Sequence, residues 1–274
     1  TGVATVSDAG VVTAVAAGTA TITVTATNGT DATDDDKTAT CTVTVTAPKP
    51  VFSVGENTTV EFAPGNLYYD GEKFHFEPNQ WSFKNSWDAN HVSHFLWSKD
   101  KDVAVSTLKS VSGGADDVFF TNATETTANS TFHVDGEEPG TWRILSSAEW
   151  DYLMKRTVNG GTGEGNSYQM ATVNDVYGMI LYPDSYTAQS SSTNYTSAEW
   201  ISMESDGAVF LPAAGYRDGT KVEGFGSYGF YWSSTSTPTP NNTDSAINLF
   251  FYSGSVTTQQ GNLRHFGDSV RLVR

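Results

Sequence analysis

The chain changes character once, at Ala47-Pro48-Lys49-Pro50, and the two sides of that break cannot share one kind of core. Before it there is no Phe, Tyr or Trp, and Thr, Ala and Val dominate. After it come all seven Trp, twelve Tyr and fifteen Phe. Small β-branched side chains favour strands, whereas the aromatic remainder has ample material for a large interior. A Pro-Lys-Pro segment is a stiff spacer, because proline fixes φ and lacks an N–H donor. The break therefore predicts a first domain over 1–47, a linker over 48–51 and a second domain over 52–274.

In the first domain, Thr21 to Ala26 alternates Thr with Ile22, Val24 and Ala26, and Thr40 to Thr46 alternates Thr with Cys41, Val43 and Val45. Period two in β-branched residues reads as half-buried strands. Cys41 then falls on the apolar face, as a buried and inert thiol. Asp31 to Asp36 lies between the strands and reads as a solvated hairpin loop. Thr1 opens inside a strand-like region without a leader, as in a fragment or a processed chain.

Composition excludes several functions. A formal charge of -16 disfavours nucleic acid and anionic membranes, which require basic surface. The single cysteine excludes an internal disulfide and a multi-cysteine zinc site. No run reaches the ~18 apolar residues of a membrane helix, so no membrane insertion is expected.

The second domain carries two local helix signals. Ser146-Ser-Ala-Glu149-Trp150 and Thr196-Ser-Ala-Glu199-Trp200 read as capping boxes, in which hydroxyl and carboxylate satisfy first-turn amides. Those N3 positions explain Glu149 and Glu199 without a catalytic carboxylate pair. Strands are signalled at Thr59–Phe62, Lys73–Phe76, Gly178–Tyr182, Ala208–Leu211 and Ala246–Tyr252, with long Gly/Ser/Thr/Asn connections. Two helices beside a modest mixed sheet predict an α+β fold, preceded by an all-β segment.

Gly226 to Arg274 combines strand-like framing with Tyr, Asn, Ser, Thr and Gln, the chemistry of a binding face. Alternation puts Ile247, Leu249 and Phe251 on one side of a strand and Asn248, Phe250 and Tyr252 on the other.

Two resemblances follow. Val3-Ala-Thr-Val6, Gly10 to Ile22 and Ala39 to Val43 resemble the C-terminal half of a bacterial group 2 immunoglobulin-like domain, which implies a spacer. Phe62-Ala-Pro-Gly-Asn-Leu67, Trp142 to Trp150, Phe210 to Asp218, Tyr231 to Thr235 and Ser269 to Arg274 resemble a C-type-lectin-like domain of the sulfatase-modifying-factor and major-paralogous-domain type. That group includes the variable proteins of diversity-generating retroelements. The resemblance implies a frame of Ile247, Leu249, Phe251, Gly254, Val256, Arg264, Gly267 and Val270. It implies ligand-binding display positions at Tyr228, Phe230, Asn242, Asn248, Phe250, Tyr252, Gln260, Asn262 and His265.

The departures are as informative. Oxidase relatives use cysteines in this domain, and none lies between Thr42 and Arg274. Calcium-dependent lectins pair Glu-Pro-Asn with a later Trp-Asn-Asp. Here Glu77-Pro78-Asn79 stands without that partner motif and reads as a turn. His91 and His94 lack an obvious third metal ligand among His75, His133 and His265. No phosphate loop, dinucleotide fingerprint or nucleophile elbow is present. The expectation is a non-enzymatic, surface-displayed protein, extracellular on a bacterial cell or phage particle. It would bind a protein or glycan on a cell surface without cofactor or metal. A calcium-dependent sugar-binding lectin, a formylglycine-generating type of enzyme and a purely structural component are the alternatives.

Overall fold

Thr/Val alternation in the first unit produces two antiparallel pairs in the computed structural model, which describes residues 2–27, 29, 36–45, 50–98, 119–121, 134–138, 140–158, 160–187, 192–236 and 245–274. The chain divides into two units, Thr1–Lys49 and Pro50–Arg274. In the first, β1 (Ala4–Val6) pairs with β2 (Val12–Ala14). β3 (Gly18–Ala26) pairs with β4 (Lys37–Val45) in unbroken register. Ile22 lies opposite Cys41, but the buried thiol expected there is corrected: Cys41 is exposed. Alternation identifies side chains that share a face and says nothing of what covers it. β3 and β4 form a two-stranded sheet, and Val24 on the same face stays 64% exposed. Of the predicted loop, Asp31 to Asp35 lies outside the described residues.

The second unit opens with hairpins β5 (Phe52–Gly55)/β6 (Thr58–Val60) and β7 (Leu67–Tyr69)/β8 (Phe74–Phe76). β9 (Phe95–Ser98) and β10 (Phe119–Thr121) follow, then helix α1 (Ser147–Lys155). Next come β11 (Tyr168–Val173), β12 (Val176–Leu181), β13 (Asn194–Tyr195) and helix α2 (Ser197–Ser205). The rest is strand: β14 (Val209–Pro212), β15 (Tyr216–Asp218), β16 (Lys221–Glu223), β17 (Gly229–Ser236), β18 (Ser245–Tyr252), β19 (Ser255–Leu263) and β20 (Gly267–Asp268). The larger sheets run β10-β9-β20-β15-β16, β13-β11-β12-β14 and β17-β18-β19.

This corrects the expected α+β, C-type-lectin-like head on one modest sheet. The chain is mostly β, with 46% strand against 10% helix, and the strands spread over several small sheets. The two helices are where the local signals put them. In each, the N-cap hydroxyl (Ser146 or Thr196) accepts from the N3 amide and the N3 carboxylate returns to the cap. Such boxes define a helix start without enlarging the helical share, and the short strands between them carry weaker signals.

The core forms in three clusters. One joins Phe52, Trp150, Leu153, Tyr231, Leu249 and Phe251 between α1 and the β17–β18 strands. A second gathers Leu67, Phe95, Trp97, Trp232, Ala246 and Leu272, and a third surrounds Trp200 and Phe210. The C-terminal stretch laces the first two together. Ser269 and Val270 accept from Trp232 and Leu67, and Leu272 accepts from Ala63; Arg274 exchanges backbone bonds with Glu61, as does Val273 with Arg143. Beside Phe251, Gly229 leaves room for the ring, since a Cβ there would lie 2.1 Å from it.

Arg271 is buried in the middle of that stretch at 1% exposure. Its guanidinium donates to the carbonyls of Ala63 (3.0 Å) and Phe210 (2.6 Å) and to Asn66 Oδ1 (2.9 Å). Removing it orphans those acceptors, and breaking such a buried charged network costs ~3–5 kcal/mol. Arg271→Met should lower the stability of the second unit by about that amount in urea unfolding. A change under ~1 kcal/mol would contradict the role.

Candidate functional site: an exposed aromatic face

The three-stranded sheet has one closed side and one half-open side. Tyr231, Leu249 and Phe251, all fully buried, close the first against α1. On the second, Phe230 and Phe250 form a cross-strand pair with ring centroids 4.7 Å apart. Tyr228 stacks on Phe250 at 5.9 Å and an 18° interplanar angle, and Tyr252 lies 5.6 Å from Phe250. In the other direction Tyr216, at the start of β15, meets Phe230 edge-on at 5.3 Å. Phe266 sits 5.2 Å from Tyr216, and His265 lies 4.6 Å from Phe266. The rings form one succession, and every member keeps exposed or half-buried surface. Each such pair contributes ~0.5–1.5 kcal/mol beyond area burial, so the rings hold one another in place before any ligand arrives.

Backbone geometry aims this row. Gly215, at φ 72°, bridges to Gly229 and turns Tyr216 alongside Phe230. A side chain at Gly215 would lie 2.1 Å from the Glu223 carbonyl, which excludes other residues there.

The predicted display residues separate into groups. Tyr228 and Tyr252 are exposed at 42% and 39%, and Phe230 and Phe250 are half-buried beside them. Gln260 is exposed on β19, while Asn262 and His265 are half-buried at the end of the row. Asn242 lies outside the described residues. Asn248 requires correction as a display residue: it is fully buried, and its Nδ2 donates to Asp268 Oδ2 at 2.6 Å. Asn248 alternates with Phe250 as expected, but β20 brings Asp268 back over that half of the strand. Of the frame positions, Ile247, Leu249, Phe251, Arg264, Gly267 and Val270 are buried, Val256 is half-buried and Gly254 is exposed. Tyr216 and Phe266 escaped the sequence reading because they belong to other elements. Tyr216 stood in the quoted Phe210–Asp218 stretch, and Phe266 follows His265 directly.

Asp268 is the electrostatic feature under the face. It is fully buried, and Asn262 Nδ2 reaches its Oδ1 at 3.0 Å beside the Asn248 bond. Burial pushes its carboxyl up to about 7, against the opposing pull of the two amides. The other candidates are committed elsewhere. Glu77 Oε1 accepts from His91 Nε2 (2.6 Å) and Ser93 Oγ (3.0 Å). Ser82 N–H closes on the Asn79 carbonyl, giving a turn after Glu77-Pro78-Asn79. His94 donates Nε2–H to the Ala214 carbonyl, and burial depresses its pKa to about 4, leaving it neutral. His75 pairs with Asp70, and His133 lies outside the described residues. Among the described residues no group of three His, Cys, Asp or Glu side chains could hold a metal, and no helix is long and apolar enough to cross a membrane.

A family model described as a domain of unknown function, DUF8237, matches residues 181–273, an interval that contains the whole aromatic row. No curated protein and no solved structure matches the chain.

The raised carboxyl has a measurable consequence. An unfolded aspartate titrates near ~3.9. Between about pH 4 and pH 7 the folded protein holds a proton on Asp268 that the unfolded chain has lost. Asp268 therefore lowers stability progressively as pH rises through that window. Asp268→Asn should remove this part of the slope, so the variant gains on the parent protein between about pH 5 and pH 8 in urea midpoints. An unchanged difference across that range would show that Asp268 is ionised throughout.

Proposed function

We propose that the second unit is a non-enzymatic binding module that presents the aromatic row to a protein or glycan ligand on a cell surface. In this reading the first unit is a spacer, and the chain is displayed extracellularly on a bacterial cell or phage particle without cofactor or metal.

The contiguity of the exposed rings carries the proposal. A monomeric protein rarely leaves a continuous apolar patch open to water unless a partner covers it. Tyrosines suit such contacts, because two torsions deliver a large amphipathic area at small entropic cost. The resemblance to retroelement variable proteins belongs to the same proposal. Positions 228, 230, 250, 252, 260, 262 and 265 stand on a buried frame, so their side chains can vary more freely than those of Leu249 or Phe251. Asn248 does not belong among them.

Probing an array of glycans and cell-surface proteins tests the proposal. The parent chain should retain at least one ligand class, and a Phe230→Ser/Phe250→Ser variant should lose about tenfold or more in affinity. Its melting temperature should fall by only about 2–5 °C, since the lost ring pair is half-exposed. Equal binding by both proteins would move the ligand elsewhere, and no binding by the parent chain would refute a receptor role.

A further inference from the structure

We infer that the ligand of the aromatic face is an extended polypeptide segment that adds as a new strand to the free edge of β19. This rests on the binding-face reading above and narrows its ligand class.

β19 ends the β17-β18-β19 sheet, so one side of its backbone faces away from the ladder. Edge strands commonly resist pairing with charged side chains or proline. Ser255 to Leu263 contains neither. A bulge opposite Asn248–Phe250 divides the strand into two short ladders, and both keep an outer edge.

The outward backbone groups are met only by neighbouring side chains. Gln259 N–H reaches Thr257 Oγ1 at 3.3 Å, and Leu263 N–H reaches Asn262 Oδ1 at 3.0 Å. The Gly261 carbonyl accepts from Gln260 Nε2 at 3.2 Å. These local bonds lie on exposed or half-buried side chains, and an incoming main chain can replace each with a ladder bond of the same kind.

The same contacts argue against a sugar. Sugar hydroxyls are read by free planar amides beside aromatic rings. Here the Asn262 and Asn248 amides donate to Asp268, and Gln260 donates to Gly261. What remains open is a strand edge next to Phe250 and Tyr252. Register places Thr257 opposite Phe250 and Ser255 opposite Tyr252. A strand added ~4.8 Å beyond β19 puts alternate side chains on this face. Large apolar residues there lean across Thr257 and Ser255 onto the rings.

The test uses the full chain, a random-sequence peptide library and a glycan array. Selected peptides should carry large apolar residues at alternate positions. N-methylation of alternate peptide amides should weaken them about tenfold or more, the equivalent of one or two lost hydrogen bonds. Gly261→Pro should weaken the parent peptides similarly. If that variant does not fold, the N-methylated series decides on the unaltered protein. Peptides indifferent to N-methylation but weakened by Phe250→Ser would overturn strand addition and leave the face intact. Peptides indifferent to Phe250→Ser would refute the face itself. Binding of glycans alone, or selection of no peptide, would overturn the polypeptide class.

Discussion

A single buried cation organises the second unit. The Arg271 guanidinium loses its hydration and regains it from the chain, through the Ala63 and Phe210 carbonyls and the Asn66 side chain. Burial lowers its pKa to about 10, which leaves it charged at neutral pH. A buried charge is costly unless every donor is met, so its partners must stay where they are. Asn66 passes the constraint on: its Nδ2 donates to the Tyr231 hydroxyl, which donates to the Pro212 carbonyl. Gln80 Oε1 accepts from the Phe210 amide, and Gln80 Nε2 reaches Glu204 on α2. The stretch that starts the domain, the strand beneath the aromatic row and the second helix are thereby referred to one point near the C-terminus.

That arrangement explains how a sheet can carry an open aromatic surface and keep its shape. The row rests on β17 and β18, whose other side is filled by Tyr231, Leu249 and Phe251. The end of the sheet that would otherwise be open is closed by Asp268 over Asn248. Stability and contact are assigned to different side chains of the same strands, so the contact surface can change with little loss of fold.

Local signals were the legible ones. Both capping boxes could be read because hydroxyl and carboxylate lie three residues apart. The alternation through β18 placed Leu249 and Phe251 inside and Phe250 and Tyr252 outside. What depended on distant returns could not be read. Asn248 looks like its neighbours two residues on and is buried only because Asp268, twenty positions away, folds back onto it. Tyr216 joins the row from a strand paired with β20, and Cys41 shares a face that nothing described covers. The helix signals suggested an α+β balance because they are strong per residue, while the many short strands are weak individually and dominate by number.

The separation of frame from face is measured most directly by substituting every position from 216 to 274 and recording folded-state protease resistance. Polar substitutions at Tyr216, Tyr228, Phe230, Phe250, Tyr252 and Phe266 should each cost no more than about 1–2 kcal/mol, the loss of half-exposed ring contacts. Substitutions at Tyr231, Leu249, Phe251 and Arg271 should cost ~3 kcal/mol or more. If the exposed rings prove as intolerant as the buried ones, they are part of the core, and the aromatic row is not a surface held ready for a ligand.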